Sequence, residues 1–270
     1  MRGALGEKIG EGAFSDVHAW APNQVIKLFK ADAPRRMGRW EARMTRAVFD
    51  AGGPAPEVLG EVTVEGRFGI VLPRLDGPTL YQLTRSGDMT FEEAGAIIAS
   101  LARSVHDTPP PPNIPMLRDM MDGALRDNGD AVPKHIVTGI LAYIDRLRPG
   151  DGLCHSDLHT GNVIMTADGP RLVDWTGAVR APAAFDLGSC RIALTEIAPE
   201  FADNPQRPRA IYAAALSEYA RLAGMSEAAL AAATELYSPI NRVLTLNGGS
   251  VPTLREQLIQ RSEAALRAVN

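Results

Sequence analysis

The apolar positions of this chain change period part-way along it. EKIGEGAFSDVHAW alternates as a strand, a Gly-rich turn and a second strand, and Gln24 to Lys30 (QVIKLFK) alternates as a third. From Pro34 to Asp50 the spacing becomes helical. Met37, Glu41, Met44 and Val48 share one face, while Arg35, Arg39 and Arg46 share the opposite one. Asp32 is the expected cap of this helix, and Gly52-Gly53 its stop. Residues 57–64 and 67–72, split by Glu65-Gly66, read as a hairpin.

Beyond LDGPTL the helical period takes over. Thr90-Phe91-Glu92-Glu93 has the form of a capping box, followed by Ile97, Ile98, Leu101 and Val105 at helical spacing. PPPPNIP, residues 109–115, reads as a stiff surface connector. A helix is expected over 134–147, then short strand-like pieces at GLCH, NVIM and RLVDW, and an Ala-rich helical remainder from Phe185. The pattern predicts an α+β chain in two lobes. Residues 1–76 form a small antiparallel β-sheet lobe with one helix, and residues 77–270 a larger, mainly helical lobe.

Composition narrows the function classes. With 45% apolar and 22% charged residues and a net charge of −4, the 270-residue chain reads as an ordinary soluble protein, not one built to hold nucleic acid. No run of 18 apolar residues suggests a membrane partner, and the N-terminus lacks the apolar centre of a signal peptide. Two cysteines, Cys154 and Cys190, give no disulfide framework, so a cytoplasmic location is expected, with both thiols as buried small hydrophobes.

Two charges sit where apolar residues are expected. Lys27 lies inside VIKLFK with Val25 and Phe29 on its own face, so it should be desolvated and in need of an anion. Glu41 lies in the middle of the apolar stripe of the 34–50 helix and needs a cation. Periodicity alone therefore pairs Lys27 with Glu41; the bland alternative is a surface glutamate beside Arg43. Lys30, at the strand end, can reach solvent.

HSDLHTGN, residues 155–162, crowds polar chemistry into one segment. His155 and His159 have the i, i+4 spacing of some zinc sites, but Gly161 argues against a helix and no third ligand is evident. His155, Ser156 and Asp157 are adjacent, whereas a hydrolytic triad converges from separate segments. Asp157 and Asn162 stand in the order D-x-x-x-x-N, with Asp174 following 17 residues after Asp157. Phosphoryl transfer wants a carboxylate at the attacking hydroxyl and oxygen ligands for magnesium. The spacing alone also fits a polar turn with unrelated surface carboxylates.

LCHSDLHTGNVIM followed by LVDWTGAVRAPAAFDLGS resembles the signature of the aminoglycoside phosphotransferase and choline kinase group, small-molecule kinases with a protein-kinase-like fold. The resemblance implies transfer of the γ-phosphoryl group of ATP or GTP to a hydroxyl, with Mg2+ as the metal. It implies Asp157 as the catalytic carboxylate, Asn162 and Asp174 as magnesium ligands, and Asp186 as a brace of the catalytic loop, with His155 structural. Gly10 and Gly12 would belong to the turn over the phosphates, with Ser15 where protein kinases have a third glycine. Lys27 and Glu41 would be the conserved-type ion pair of kinases, Val17, Val25 and Leu72 walls for the base, and Pro73 to Leu75 the linker that reads it. Ser156 stands where the group commonly has glycine. The acceptor class is left open among aminoglycosides or other antibiotics, amino alcohols and sugars. A nucleotide-binding pseudokinase acting as a scaffold is the alternative. A protein kinase is disfavoured, since no obvious activation loop follows Asp174. From Arg180 onward nine acidic residues meet nine arginines, so there is no mark of a polycation site; an amine acceptor would look to Glu196, Glu200 and Asp203 in TEIAPEFAD.

Overall fold

The computed structural model describes residues 5–34, 36–127, 131–248 and 252–268. Arg35, expected on the arginine face of the first helix, lies outside them.

The N-terminal part is a five-stranded antiparallel sheet: β1 (Lys8–Glu11), β2 (Ser15–Ala21), β3 (Gln24–Phe29), β4 (Gly60–Val64) and β5 (Arg67–Pro73), in the order β1-β2-β3-β5-β4. The β4–β5 turn is Glu65-Gly66, both with positive φ (50° and 79°), the geometry that matches the twist of a tight hairpin. Between β3 and β4 runs α1 (Met37–Asp50). It starts three residues later than the sequence reading. Asp32 does not cap it; Arg36 is the N-cap and offers no side-chain bond. The stop is as expected: Gly52 and Gly53 donate back to Phe49 O and Val48 O, both at 2.9 Å, with Gly52 at φ 80°. Gly38 lets α1 lie close on the sheet, since a Cβ there would meet the Phe29 and Phe68 rings.

A linker leads into helices α2 (Leu80–Ser86), α3 (Phe91–Asp107), α4 (Leu117–Asp127) and α5 (Lys134–Ile144). Gly77 in this linker passes so near Met165 O that any side chain would collide with it. Capping boxes at Thr79/Gln82 and Thr90/Glu93 start α2 and α3. The 109–115 connector is not wholly on the surface: its Ile114 is buried in the core of the helical lobe. Then follow β6 (Gly152–Cys154), β7 (Val163–Thr166), β8 (Gly169–Leu172) and β9 (Val179–Ala181), pairing as β6-β9 and β7-β8. Helices α6 (Ala183–Arg191), α7 (Gln206–Ala223), α8 (Glu227–Leu236), α9 (Ser238–Asn247) and α10 (Arg255–Ala268) complete the lobe. After α6 the chain continues as a π-helical stretch over Ile192–Ile197.

Met44, Ala47 and Val48 of α1 belong to the same apolar cluster as α3, Leu153 and Trp175. Helix α1 therefore packs on both the sheet and the helical part, and sets their relative position. No described helix is long and apolar enough to cross a membrane.

Candidate active site

Cross-strand register places Val17 opposite Lys27 and Val25 opposite Leu72, so all four side chains share one face of the sheet with Phe29 and Ile70. Helix α1 packs on this face through Ala42, which clusters with Phe29 and Ile70, and brings Glu41 to Lys27. Lys27 Nζ lies 2.6 Å from Glu41 Oε1 and 3.3 Å from Asp174 Oδ2. Burial works against the Lys27 charge, but Glu41 and Asp174 outweigh it and raise the lysine. Burial also pushes Glu41 up while Lys27 pulls it back; at 2.6 Å with a second donor present, we assign the ionised pair. That donor is Thr176, whose Oγ1 lies 3.0 Å from Glu41 Oε2 and 2.8 Å from Asp174 Oδ1. Its carbonyl accepts from Trp40 Nε1 at 2.8 Å, fastening α1 to the segment after Asp174.

The segment 155–162 is an irregular loop that ends in a 3-10 turn, Thr160–Asn162. Asn162 Nδ2 donates to Asp157 O at 2.9 Å and lies 3.1 Å from Asp157 Oδ2. His159 Nδ1 accepts from Gly161 N at 3.0 Å, which leaves Nε2 to carry the hydrogen; it faces Asp157 Oδ1 at 3.6 Å. The Asp157 side chain is 54% exposed; the desolvation that remains pushes its carboxyl up, but His159, His155 and Asn162 hold it at about 2.

Beneath this loop His155 is fully buried. Its Nε2 donates to Val173 O at 3.0 Å, its Nδ1 accepts from Asp157 N at 3.2 Å, and its ring meets Trp175 edge-on at 4.6 Å. Val173 N in turn donates to Asn162 O at 3.0 Å. The residue before Asp174 is thus tied to both ends of the 155–162 loop. Asp186, also fully buried, accepts from His155 N (3.0 Å), Ser156 N (2.6 Å) and His106 Nε2 (3.1 Å). Burial raises this carboxyl, but the bond and charge of His106, with His155, hold it below the usual carboxylate range.

The structure brings Lys27, Glu41, Asp157, Asn162, Asp174, His155 and Asp186 into one connected network. Of the remaining candidates, Gly10 and Gly12 border the β1–β2 turn, which closes through Gly12 N to Ser15 O at 2.7 Å. Lys30 is not simply in solvent: its Nζ donates to Gly12 O at 2.8 Å and pins that turn. Leu75 is half-buried just beyond β5; the Arg74 N–H is already given to Asn23 O at 2.9 Å. Asp174 does not end a strand, because β8 stops at Leu172 and Asp174 is left-handed at φ 66°. Ser156 is left-handed too, at φ 66°, a conformation that glycine adopts without strain. Its Oγ donates to Gly177 O at 2.7 Å.

Sequence reasoning missed Thr176 and His106. Thr176 could have been found from its place two residues after Asp174. His106 could not, being 80 residues from Asp186 at the end of an otherwise ordinary helix. Of the three carboxylates to which an amine acceptor would look, Glu200 and Asp203 are exposed but Glu196 is engaged. Glu196 is buried and accepts from Arg242 and Arg261, with Arg191 at 3.3 Å, so it has no charge to spare.

Residues 12–226 match the APH phosphotransferase enzyme family. The chain belongs to this family and is a phosphotransferase. A search of curated proteins finds no significant match. Among solved structures, choline kinase from Cryptosporidium parvum is 14% identical with TM-score 0.61, covering 97% of this chain and 87% of that one. The aminoglycoside phosphotransferase APH(3'')-Id from Streptomyces rimosus is 20% identical with TM-score 0.55, covering 86% and 92%. APH(2'')-IIIa, solved with GDP and kanamycin, is 12% identical with TM-score 0.56, covering 99% and 93%. These likenesses establish the kinase-like α+β fold: an antiparallel sheet, then a helical region carrying the 155–162 segment.

Proposed function

We propose that this phosphotransferase is a magnesium-dependent kinase moving the γ-phosphoryl group of ATP or GTP to a hydroxyl of a small molecule. The observation that carries the reading is Lys27 held between Glu41 and Asp174, with Asp157 and Asn162 hydrogen-bonded in the facing loop. A GDP complex among the solved relatives supports nucleotide use.

The donor set fits magnesium. Asn162 spends its Nδ2 on Asp157, which leaves Oδ1 as the metal-facing oxygen. Asp174 keeps lone pairs beyond those engaged by Lys27 and Thr176. Counting Lys27, Glu41, Asp157 and Asp174, the charges sum to −2, which a divalent cation balances. When bound with a nucleotide, magnesium neutralises charge that develops on the transferring group.

In this reading Lys27 holds the phosphates, and Glu41 and Thr176 fix its ammonium. Val17, Val25 and Leu75 contact the base, and the Gly10–Gly12 turn covers the phosphates. Asp157, kept ionised by its low pKa, orients the acceptor hydroxyl and takes its proton. His155 and Asp186 hold the loop in shape without touching substrate. The chain is divided for this work near residue 76, with the nucleotide lobe before it and the acceptor lobe after.

The test is a screen with γ-labelled ATP and GTP across aminoglycosides, macrolides, amino alcohols and sugars. Label entering an acceptor only with magnesium supports the kinase. Tight nucleotide binding with no transfer to any acceptor supports the scaffold alternative.

A further inference from the structure

A cavity of about 200 Å3 lies beside the catalytic loop, between α2, the segment around Phe201 and the first turns of α7. Thr160, three residues after Asp157, forms one wall. Leu194, from the π-helical stretch, and Ile211 are buried apolar lining. Tyr81 and Phe201 also line it, yet remain 47% and 61% exposed. Two large rings at one apolar cavity are the pattern of a ligand site, not of scattered surface hydrophobes.

Its charge is as informative as its shape. Arg85 and Asp203 pair at 3.5 Å and cancel. Among the described residues Arg207 makes no ion pair: its Nη1 reaches only Arg85 O at 3.5 Å, and its Nε is buried with no hydrogen-bond partner. It stands in the first turn of α7, which has no acidic residue and adds partial positive charge of its own. TEIAPEFAD thus turns Phe201 and Asp203 toward this cavity, while Glu196 stays locked among its arginines.

We infer that this cavity receives the acceptor, and that the acceptor is a hydroxyl compound with one ring-sized apolar group and a carboxylate, not a polycation. The inference rests on the kinase reading above. The volume suits a single ring, being smaller than the roughly 300–1,000 Å3 of whole drug-sized ligand sites. The ring stacks with Tyr81 and Phe201, and the carboxylate satisfies Arg207. A polyamine would bring like charge to Arg207, and the one carboxylate lining the cavity, Asp203, is already paired with Arg85. In the transfer itself the acceptor oxygen bonds to the γ-phosphorus. The bond from that phosphorus to the bridging oxygen breaks, the hydroxyl proton passes to Asp157, and the nucleoside diphosphate leaves.

The experiment compares 3-phenyllactate, phenylalaninol, choline and kanamycin as acceptors at saturating magnesium-nucleotide, with nucleotide affinity read separately by calorimetry. 3-Phenyllactate should exceed phenylalaninol in kcat/KM by about tenfold, the worth of one charge-assisted bond. Arg207→Gln should raise its KM by a similar factor, Arg207→Lys by less, and Phe201→Ala should raise KM for both phenyl compounds. The nucleotide KM should stay unchanged in all three variants, which also reports that they fold. Preference for choline or kanamycin, no transfer to either phenyl compound, or an acceptor KM indifferent to Arg207 and Phe201 overturns the assignment while the kinase reading stands. Failure of the parent protein to bind magnesium-nucleotide overturns both.

Discussion

Lys27→Met and Glu41→Gln should destabilise the protein unequally, and the order follows from what each leaves behind. Glu41 has a side chain only 4% exposed, while that of Asp174 is 40% exposed. Removing the lysine charge leaves two carboxylates around a single Thr176 hydroxyl, which has one hydrogen for both. An orphaned buried charge of this kind costs about 3–5 kcal/mol. Removing the Glu41 charge leaves Lys27 with Asp174 at 3.3 Å, so its ammonium keeps an anion. That loss is one charge-assisted bond, about 1.5–3 kcal/mol. In Lys27→Met/Glu41→Gln neither charge is stranded, and the double change should cost less than the two summed by about 1–3 kcal/mol. Urea unfolding of the four proteins without nucleotide measures this, provided the m-values agree. Costs that add within about 0.5 kcal/mol, or a Glu41→Gln cost above that of Lys27→Met, would refute the reasoning.

Asp174→Asn should weaken nucleotide binding with magnesium far more than without it, and Asn162→Ala less so, because an amide oxygen carries no net charge; calorimetry at both metal conditions checks the difference. Ser156→Gly exchanges relief of left-handed strain, about 1 kcal/mol, for loss of the Oγ bond to Gly177 O, so urea midpoints should shift by less than about 1 kcal/mol. Ser156→Val keeps the strain and loses the bond, and should cost about 2 kcal/mol or more. Asp186 has its carboxyl depressed, so its contribution is in place above the ordinary carboxylate range and is lost as pH falls through the depressed value. Asp186→Asn should lower Tm at neutral pH yet flatten the fall of Tm between about pH 5 and pH 3.

The sheet and α1 were legible because their signals are local. Alternation gave β3, the Glu65-Gly66 turn gave the β4–β5 hairpin, and a glutamate inside an apolar stripe led to the Lys27–Glu41 contact at 2.6 Å. Helix α2 was passed over, although Thr79 and Gln82 form the same box that announced α3. Helix α4 carries a signal too, Leu117, Met120, Met121, Ala124 and Leu125 at helical spacing, which the proline run before it obscures. What stayed hidden in the site depends on tertiary approach: His106 under Asp186, and the three arginines that consume Glu196. A run of acidic residues in sequence says nothing of the cations that folding will bring to it. The left-handed backbone at Ser156 and Asp174 was equally invisible, since neither residue type demands it.

In the proposed function Asp157 performs the transfer chemistry while the Lys27–Asp174 side holds the nucleotide. The most direct measurement is the magnesium-dependent rate of γ-phosphoryl transfer by Asp157→Asn, taken beside its nucleotide affinity. The expected rate is lower by about 10²–10⁴-fold with affinity unchanged. A rate within about threefold of the parent, or affinity lost in step with rate, would contradict it.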